Sequence, residues 1–246
     1  MDKDIQTTQE LSLRSDQLSG VRVAVTGATG GIGRELVLAL VALGAVVAAT
    51  GTSEERLTEL RGSHDGLLTY AADITSEADV AGFFHEIGTR WGGVDAVINL
   101  AGTSIPGKIE EMPAADFLKM LEVNVMGTFL ACKYAIPLLT DNKGLVINVS
   151  SLAGSRPNAT APGYCTAKAA VSMFSDALGL QIKDRNLRVS NLSPGGADTP
   201  FWGDRPVKRE ALMSPADVVS AILFVLATPP HVVVRELSFE STGLPH

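Results

Sequence analysis

Tyr164 and Lys168 stand four residues apart in the segment Pro162-Gly163-Tyr164-Cys165-Thr166-Ala167-Lys168-Ala169-Ala170-Val171. On a helix that spacing puts both side chains on one face and into one small volume. An unperturbed phenol has a pKa of about 10, so roughly one in a thousand is ionised at neutral pH. A neighbouring ammonium lowers that value, each unit of depression corresponding to about 1.4 kcal/mol, and so turns Tyr164 into a usable acid or base. Taken alone, a Tyr and a Lys so spaced are ordinarily a solvated helix face. What singles this pair out is Leu145-Val146-Ile147-Asn148-Val149-Ser150-Ser151, a strand-like run ending in hydroxyls thirteen residues before the tyrosine. Hydroxyls at the carboxyl end of a parallel strand face the crevice where ligands bind.

A second chemistry-bearing stretch lies near the start, at Thr26-Gly27-Ala28-Thr29-Gly30-Gly31-Ile32-Gly33. It follows the first strand-like run and precedes a helical one. Glycines in such a turn allow positive φ and close backbone approach, and the free N–H groups of the next helix attract a pyrophosphate. The candidate cofactor residues of the turn are Gly27, Thr29, Gly30, Gly31, Ile32 and Gly33. The second strand ends Thr50-Gly51-Thr52-Ser53, without the acid that accepts the ribose hydroxyls of NAD. Gly51, Thr52 and Ser53, with Arg56 nearby, suit a 2′-phosphate instead, so NADP(H) is favoured over NAD(H).

These residues need a scaffold. Strand-like runs at Val21–Thr26, Ala45–Ala49, Leu67–Tyr70, Val94–Asn99, Leu145–Val149, Leu187–Asn191 and Val232–Phe239 alternate with helical patterns. That alternation predicts an α/β fold, a doubly wound Rossmann-type domain with a parallel sheet of about seven strands and helices on both faces. Residues 1–18 lack apolar periodicity and are expected to form a flexible extension before a single domain, 19–246.

Composition narrows the function classes. The chain has 246 residues, 46% hydrophobic and 19% charged, enough for one large core. Its formal charge of −7 disfavours nucleic acid as a partner. Two cysteines and four scattered histidines give no zinc or disulfide pattern, so no metal is expected. The most apolar stretch, Leu36–Thr50, is too short to span a bilayer, and the polar N-terminal residues do not read as a signal, which makes cytoplasmic the expected location.

Together these pieces resemble the short-chain dehydrogenases/reductases, in the branch with a TGxxxGxG turn, motif by motif from Val21 to Pro200. The resemblance implies hydride transfer between a nicotinamide cofactor and a carbonyl or alcohol carbon. It implies Tyr164 as acid or base, Lys168 as the group that lowers its pKa and holds the nicotinamide ribose, and Ser151, rather than Ser150, as the hydroxyl that orients the substrate oxygen. Asn124 would support a water chain behind the lysine, though an asparagine within a helix can equally be satisfied by backbone. Asp73 and Ile74 would meet the adenine, and Asn99, Ala101 and Gly102 the ribose. Leu100 stands where the family has a second asparagine. Pro194, Gly195 and Thr199 would meet the nicotinamide, and each of these loops is otherwise an ordinary cap or turn.

The resemblance places Phe201 and Trp202 on a lid over the substrate, with Asn158 within reach, and implies a homodimer or homotetramer through helices at Met112–Leu139 and Pro162–Ile182. The expected partner is a small carbonyl or alcohol compound. Two other functions are weighed against it. One is a 3-oxoacyl thioester reductase, with Arg205, Lys208 and Arg209 as the patch for an acidic carrier. The other is a non-catalytic dinucleotide-sensing regulator, for which Ser151, Tyr164, Lys168 and Asn124 would have no chemical use.

Overall fold

Seven parallel strands form one sheet in the order β3-β2-β1-β4-β5-β6-β7. The computed structural model describes residues 18–62, 64 and 66–243. The strands are β1 (Arg22–Thr26), β2 (Val46–Gly51), β3 (Leu68–Ala71), β4 (Ala96–Asn99), β5 (Leu145–Val149), β6 (Arg188–Pro194) and β7 (Glu236–Phe239). The helices are α1 (Gly31–Ala42), α2 (Glu54–Arg61), α3 (Glu77–Trp91), α4 (Ala114–Leu121), α5 (Gly127–Ala135), α6 (Pro162–Gln181) and α7 (Pro215–Leu226).

Burial on both faces explains why the central strands read as unbroken apolar runs. Val23, Val25, Ile98 and Ile147 join the core formed with Leu36 and Leu40 of α1 and Ile222 of α7. Ala24, Val97 and Val146 point the other way, into the core formed with Phe83, Phe84 and Ile87 of α3 and Leu178 of α6. The order reverses between β1 and β4, and a doubly wound sheet opens its ligand crevice at the carboxyl ends there. The glycine turn leaves β1 at that point.

Boundaries shift where context outweighs pattern. Leu18, assigned to the extension by its sequence, packs into the core at 3% exposure, and residues 1–17 lie outside the described residues. Strand β7 begins only at Glu236, because Val232 and Val233 are exposed and outside the ladder. Strand β6 continues through Pro194, paired with Phe239 on β7. The stretch Met112–Leu139 is not one helix: a π-helical turn, Glu122–Met126, joins α4 to α5, and a 3-10 turn containing Pro137 ends it.

Candidate active site

Helix α6 begins with Pro162 at its first turn, a position where a missing N–H costs nothing. Two turns later Lys168 runs inward, 5% exposed, and its Nζ donates to the Val149 carbonyl at the end of β5 at 2.8 Å. The two serines that follow Val149 have different fates. Ser150 is buried, its hydroxyl donating to the Lys168 carbonyl at 2.8 Å and accepting from Ser172 at 2.9 Å. It ties β5 to α6. Ser151 opens onto the cleft beside Tyr164, and its hydroxyl donates to the Pro194 carbonyl at 3.4 Å. Its Oγ also accepts from the Ala153 N–H at 3.2 Å.

Charge at this centre differs from the expectation. Burial pushes the Tyr164 phenol up to about 12, against the opposing pull of the Ser151 hydroxyl and the Arg205 charge. Burial also pushes Lys168 down to about 8. Its ammonium lies 5.8 Å from the centre of the Tyr164 ring and spends a proton on a carbonyl. The cation that draws on the phenol is Arg205, a residue legible in the sequence only as part of a carrier patch.

A cleft of about 1590 Å³ collects most of the anticipated residues. Gly27, Thr29, Gly30, Gly31, Ile32, Gly33, Gly51, Thr52, Asp73, Ile74, Ala101, Gly102, Pro194, Gly195 and Thr199 line one run of it, and Ser151, Asn158, Tyr164, Lys168, Phe201 and Trp202 the other. Asn158 reaches it as a turn residue whose Oδ1 accepts from Thr160 N at 2.9 Å and Thr160 Oγ1 at 2.8 Å.

Three anticipated residues stand outside the lining. Ser53 caps α2, accepting from Arg56 N at 3.3 Å. Asn99 is buried between strands, its Nδ2 donating to Asn148 Oδ1 at 2.8 Å. Asn124 is buried in the π-helical turn, its Nδ2 donating to the Thr103 and Met120 carbonyls at 2.8 Å each. Its Oδ1 has no partner and faces the backbone of Gly102, where a Cβ would come within 2.8 Å of it.

The lining fits a dinucleotide. Gly27 has φ +68°, and a Cβ there would lie 2.7 Å from the Ala101 nitrogen. Gly30 caps α1 without a side-chain hydrogen bond, and no acid occupies the first turn, so its N–H groups are available to a phosphate. Thr50, also in the lining, has a buried Oγ1 without a hydrogen-bond partner. The volume exceeds what one small ligand needs. Among the described residues no group of His, Cys, Asp or Glu is placed to hold a metal ion, and no helix is long and apolar enough to cross a membrane.

Comparison with known proteins decides the family. The profile described as short chain dehydrogenase matches residues 22–210. The chain belongs to the short-chain dehydrogenase family. This short-chain dehydrogenase is 37% identical over 185 residues to L-fucose dehydrogenase from Mus musculus, covering 75% of this chain and 68% of the relative. It is 31% identical over 218 residues to an uncharacterised oxidoreductase of Staphylococcus aureus strain USA300, covering 87% and 94%. Among solved structures, the closed form of serine dehydrogenase complexed with NADP+ superposes with a TM-score of 0.86 at 28% identity, over 92% of this chain and 97% of that one. An alcohol dehydrogenase from Thermococcus sibiricus complexed with 5-hydroxy-NADP gives 0.83 at 28% identity, over 92% and 99%. The short-chain dehydrogenase described here is thus an NAD(P)-binding oxidoreductase of that family.

Proposed function

We propose that this short-chain dehydrogenase reduces a carbonyl, or oxidises the corresponding alcohol, with Tyr164 as the proton-transferring group. The observation that carries the reading is the meeting of Ser151, Tyr164 and buried Lys168 in the lining of one cleft, where the Ser151 hydroxyl draws down the pKa of the phenol. When bound, a nicotinamide supplies or accepts the hydride. The chain's own residues handle the oxygen. Ser151 donates a hydrogen bond to it, and Tyr164 passes it a proton during reduction, where negative charge develops. A phenol near 12 is fully protonated at neutral pH, which suits the acid in the reductive direction. The relatives named for dehydrogenating L-fucose and serine support a hydroxyl-bearing or carbonyl substrate.

NADP(H) is favoured over NAD(H). Arg34 and Arg56 line the cleft beside Gly51 and Thr52, with no acid at the end of β2. A homodimer or homotetramer is proposed from apolar side chains exposed on α4, α5 and α6, among them Leu118, Phe129, Met173 and Leu180. Free Cys132 and Cys165 suit the reducing cytoplasm. The test is a panel of carbonyl compounds with NADPH and NADH separately, following loss of the reduced cofactor's absorbance. Absence of turnover with every carbonyl, while the cofactor still binds, would identify a sensor instead; equal turnover with NADH would remove the cofactor preference.

A further inference from the structure

The substrate end of the cleft carries a charge that carbonyl chemistry alone leaves unused. After Thr199 the chain makes a short 3-10 turn, Pro200–Trp202, pinned by the Trp202 indole donating to the Ala197 carbonyl at 2.7 Å. Arg205 folds back over that turn. Its guanidinium carbon lies 5.1 Å from the centre of the Phe201 ring and 5.2 Å from that of Trp202. Its Nε donates to the Trp202 carbonyl at 2.8 Å and its Nη2 to the Phe201 carbonyl. Phe201 in turn lies 5.8 Å, centre to centre, from the Tyr164 ring. A single aromatic ring separates the guanidinium from the phenol.

The neighbouring arginines are already committed. Arg156 donates to both Glu240 oxygens, at 2.7 and 2.8 Å, and Arg209 to Asp198 at 2.6 Å. Arg205 lines the cleft and, among the described residues, has no ion-pair partner. Held by two carbonyls and two rings, it loses little further freedom on engaging an anion. The local charge is also not a reflection of composition: Arg156, Arg205 and Lys208 face the cleft against Glu240 in a chain of net charge −7.

The geometry points to Arg205 as the anchor for a substrate carboxylate, so that the site takes oxo acids and hydroxy acids whose carboxylate lies a few atoms from the reacting carbon. This rests on the oxidoreductase reading and narrows it. A planar guanidinium is the side chain that grips a carboxylate with two parallel hydrogen bonds. Its charge also reaches the reacting centre, since it lowers the Tyr164 phenol's hold on its proton. The arrangement favours a small anion inside the cleft over an acidic carrier outside it, because Arg209 is neutralised by Asp198 and Arg205 is stacked on the lining rings.

The test uses the full chain with NADPH and with NADH on pyruvate, acetoacetate and levulinate, each against its methyl ester. The expected result is that at least one acid exceeds its ester in kcat/KM by roughly tenfold to a hundredfold, the range of a charge-assisted hydrogen bond. In Arg205→Met the acid-to-ester ratio collapses towards one, and in Arg205→Lys part of it returns. Should Arg205→Met fold poorly, the intermediate ratio of Arg205→Lys carries the same information. Turnover of esters as fast as acids overturns the carboxylate anchor and leaves the oxidoreductase reading standing. A ratio unchanged in both variants does the same, as does an acyl-carrier thioester preferred over every free acid. No turnover of these acids and esters by a chain that turns over other carbonyls of the panel overturns the anchor alone, and no turnover of any carbonyl overturns both.

Discussion

Lys168 Nζ donates to the carbonyl of Val149 at 2.8 Å while standing 5.8 Å from the ring of Tyr164, so the lysine secures the end of β5 as much as it serves the tyrosine. With burial holding Lys168 near 8 and Tyr164 near 12, the two titrate far apart. Reductive turnover should hold level below pH 8 and change above it as Lys168 loses its proton. Oxidative turnover should climb with pH well past neutrality, because the base form of a phenol near 12 grows about tenfold per unit. Rate profiles in both directions check this; an oxidative plateau near pH 7 contradicts it.

Stability should report the same lysine. Its folded pKa of about 8 lies below the ordinary 10.5, so the folded state binds fewer protons between those values. The Lys168 contribution to stability therefore rises across that window and is lost as pH falls through about 8. Urea unfolding of Lys168→Met, compared with the unaltered chain from pH 7 to 10, should show a flatter dependence.

Removing each serine hydroxyl separates architecture from chemistry. Ser151→Ala should lower kcat by roughly a hundredfold or more with little change in melting temperature, since it strips a donor from the reacting oxygen. Ser150→Ala should mainly destabilise, by about 1–2 kcal/mol, because the half-buried Ser172 hydroxyl and the Lys168 carbonyl lose a partner. Tyr164→Phe should cost roughly a hundredfold to ten-thousandfold in turnover while cofactor binding, read by fluorescence quenching, persists.

Two glycines of positive φ offer a matched pair. Gly20 has open space around the place a Cβ would take, whereas at Gly27 a Cβ would meet the Ala101 nitrogen at 2.7 Å. Gly20→Ala should cost about 1 kcal/mol for the backbone conformation alone, and Gly27→Ala clearly more, with weakened dinucleotide binding. Equal losses in thermal unfolding would show that the approach of Gly27 to Ala101 is not limiting.

Away from the site, Asp95 is pulled by opposing forces. Burial raises its pKa, but the Arg22 side chain and backbone and the Thr140 hydroxyl overcome that and hold it at about 2. The Arg22–Asp95 pair, at 2.8 Å, joins β1 to the turn before β4. Its contribution should be complete above about pH 4 and disappear as pH falls through 2, and solvent screening limits it to roughly 1 kcal/mol. Acid unfolding of Asp95→Asn should begin from a lower plateau and show less pH dependence.

Much of the architecture was legible because β1, β4 and β5 are buried on both faces and their apolar runs leave few alternatives. The glycine turn and the Tyr164–Lys168 spacing were legible because each is local: four residues on a helix fix a shared face. What stayed hidden depends on distant partners. Nothing local distinguishes Asn99, clamped to Asn148 across the sheet, from an asparagine facing ligand. Val232 and Val233 have the residue types of a strand but lie beyond the last ladder pairing. Arg205 was legible only as part of a carrier patch, because its significance comes from stacking on Phe201 and Trp202, and a basic residue in a Pro-rich loop carries no such signal by itself. A stretch of lysines and arginines read in one dimension offered no means of knowing that Asp198 had already claimed Arg209.

The π-helical turn at Glu122–Met126 accommodates one more residue than an α-helical path would need. A chain shortened by a single residue there would straighten into continuous helix. The side chains beyond the splice would keep their bearing relative to α4, because the wider turn had absorbed the added residue locally. Asn124, inside the turn, would leave Gly102, while the outward row holding Phe129 would stay in place. The added residue therefore serves the interior amide alone, because its deletion would displace Asn124 and spare the outer apolar face.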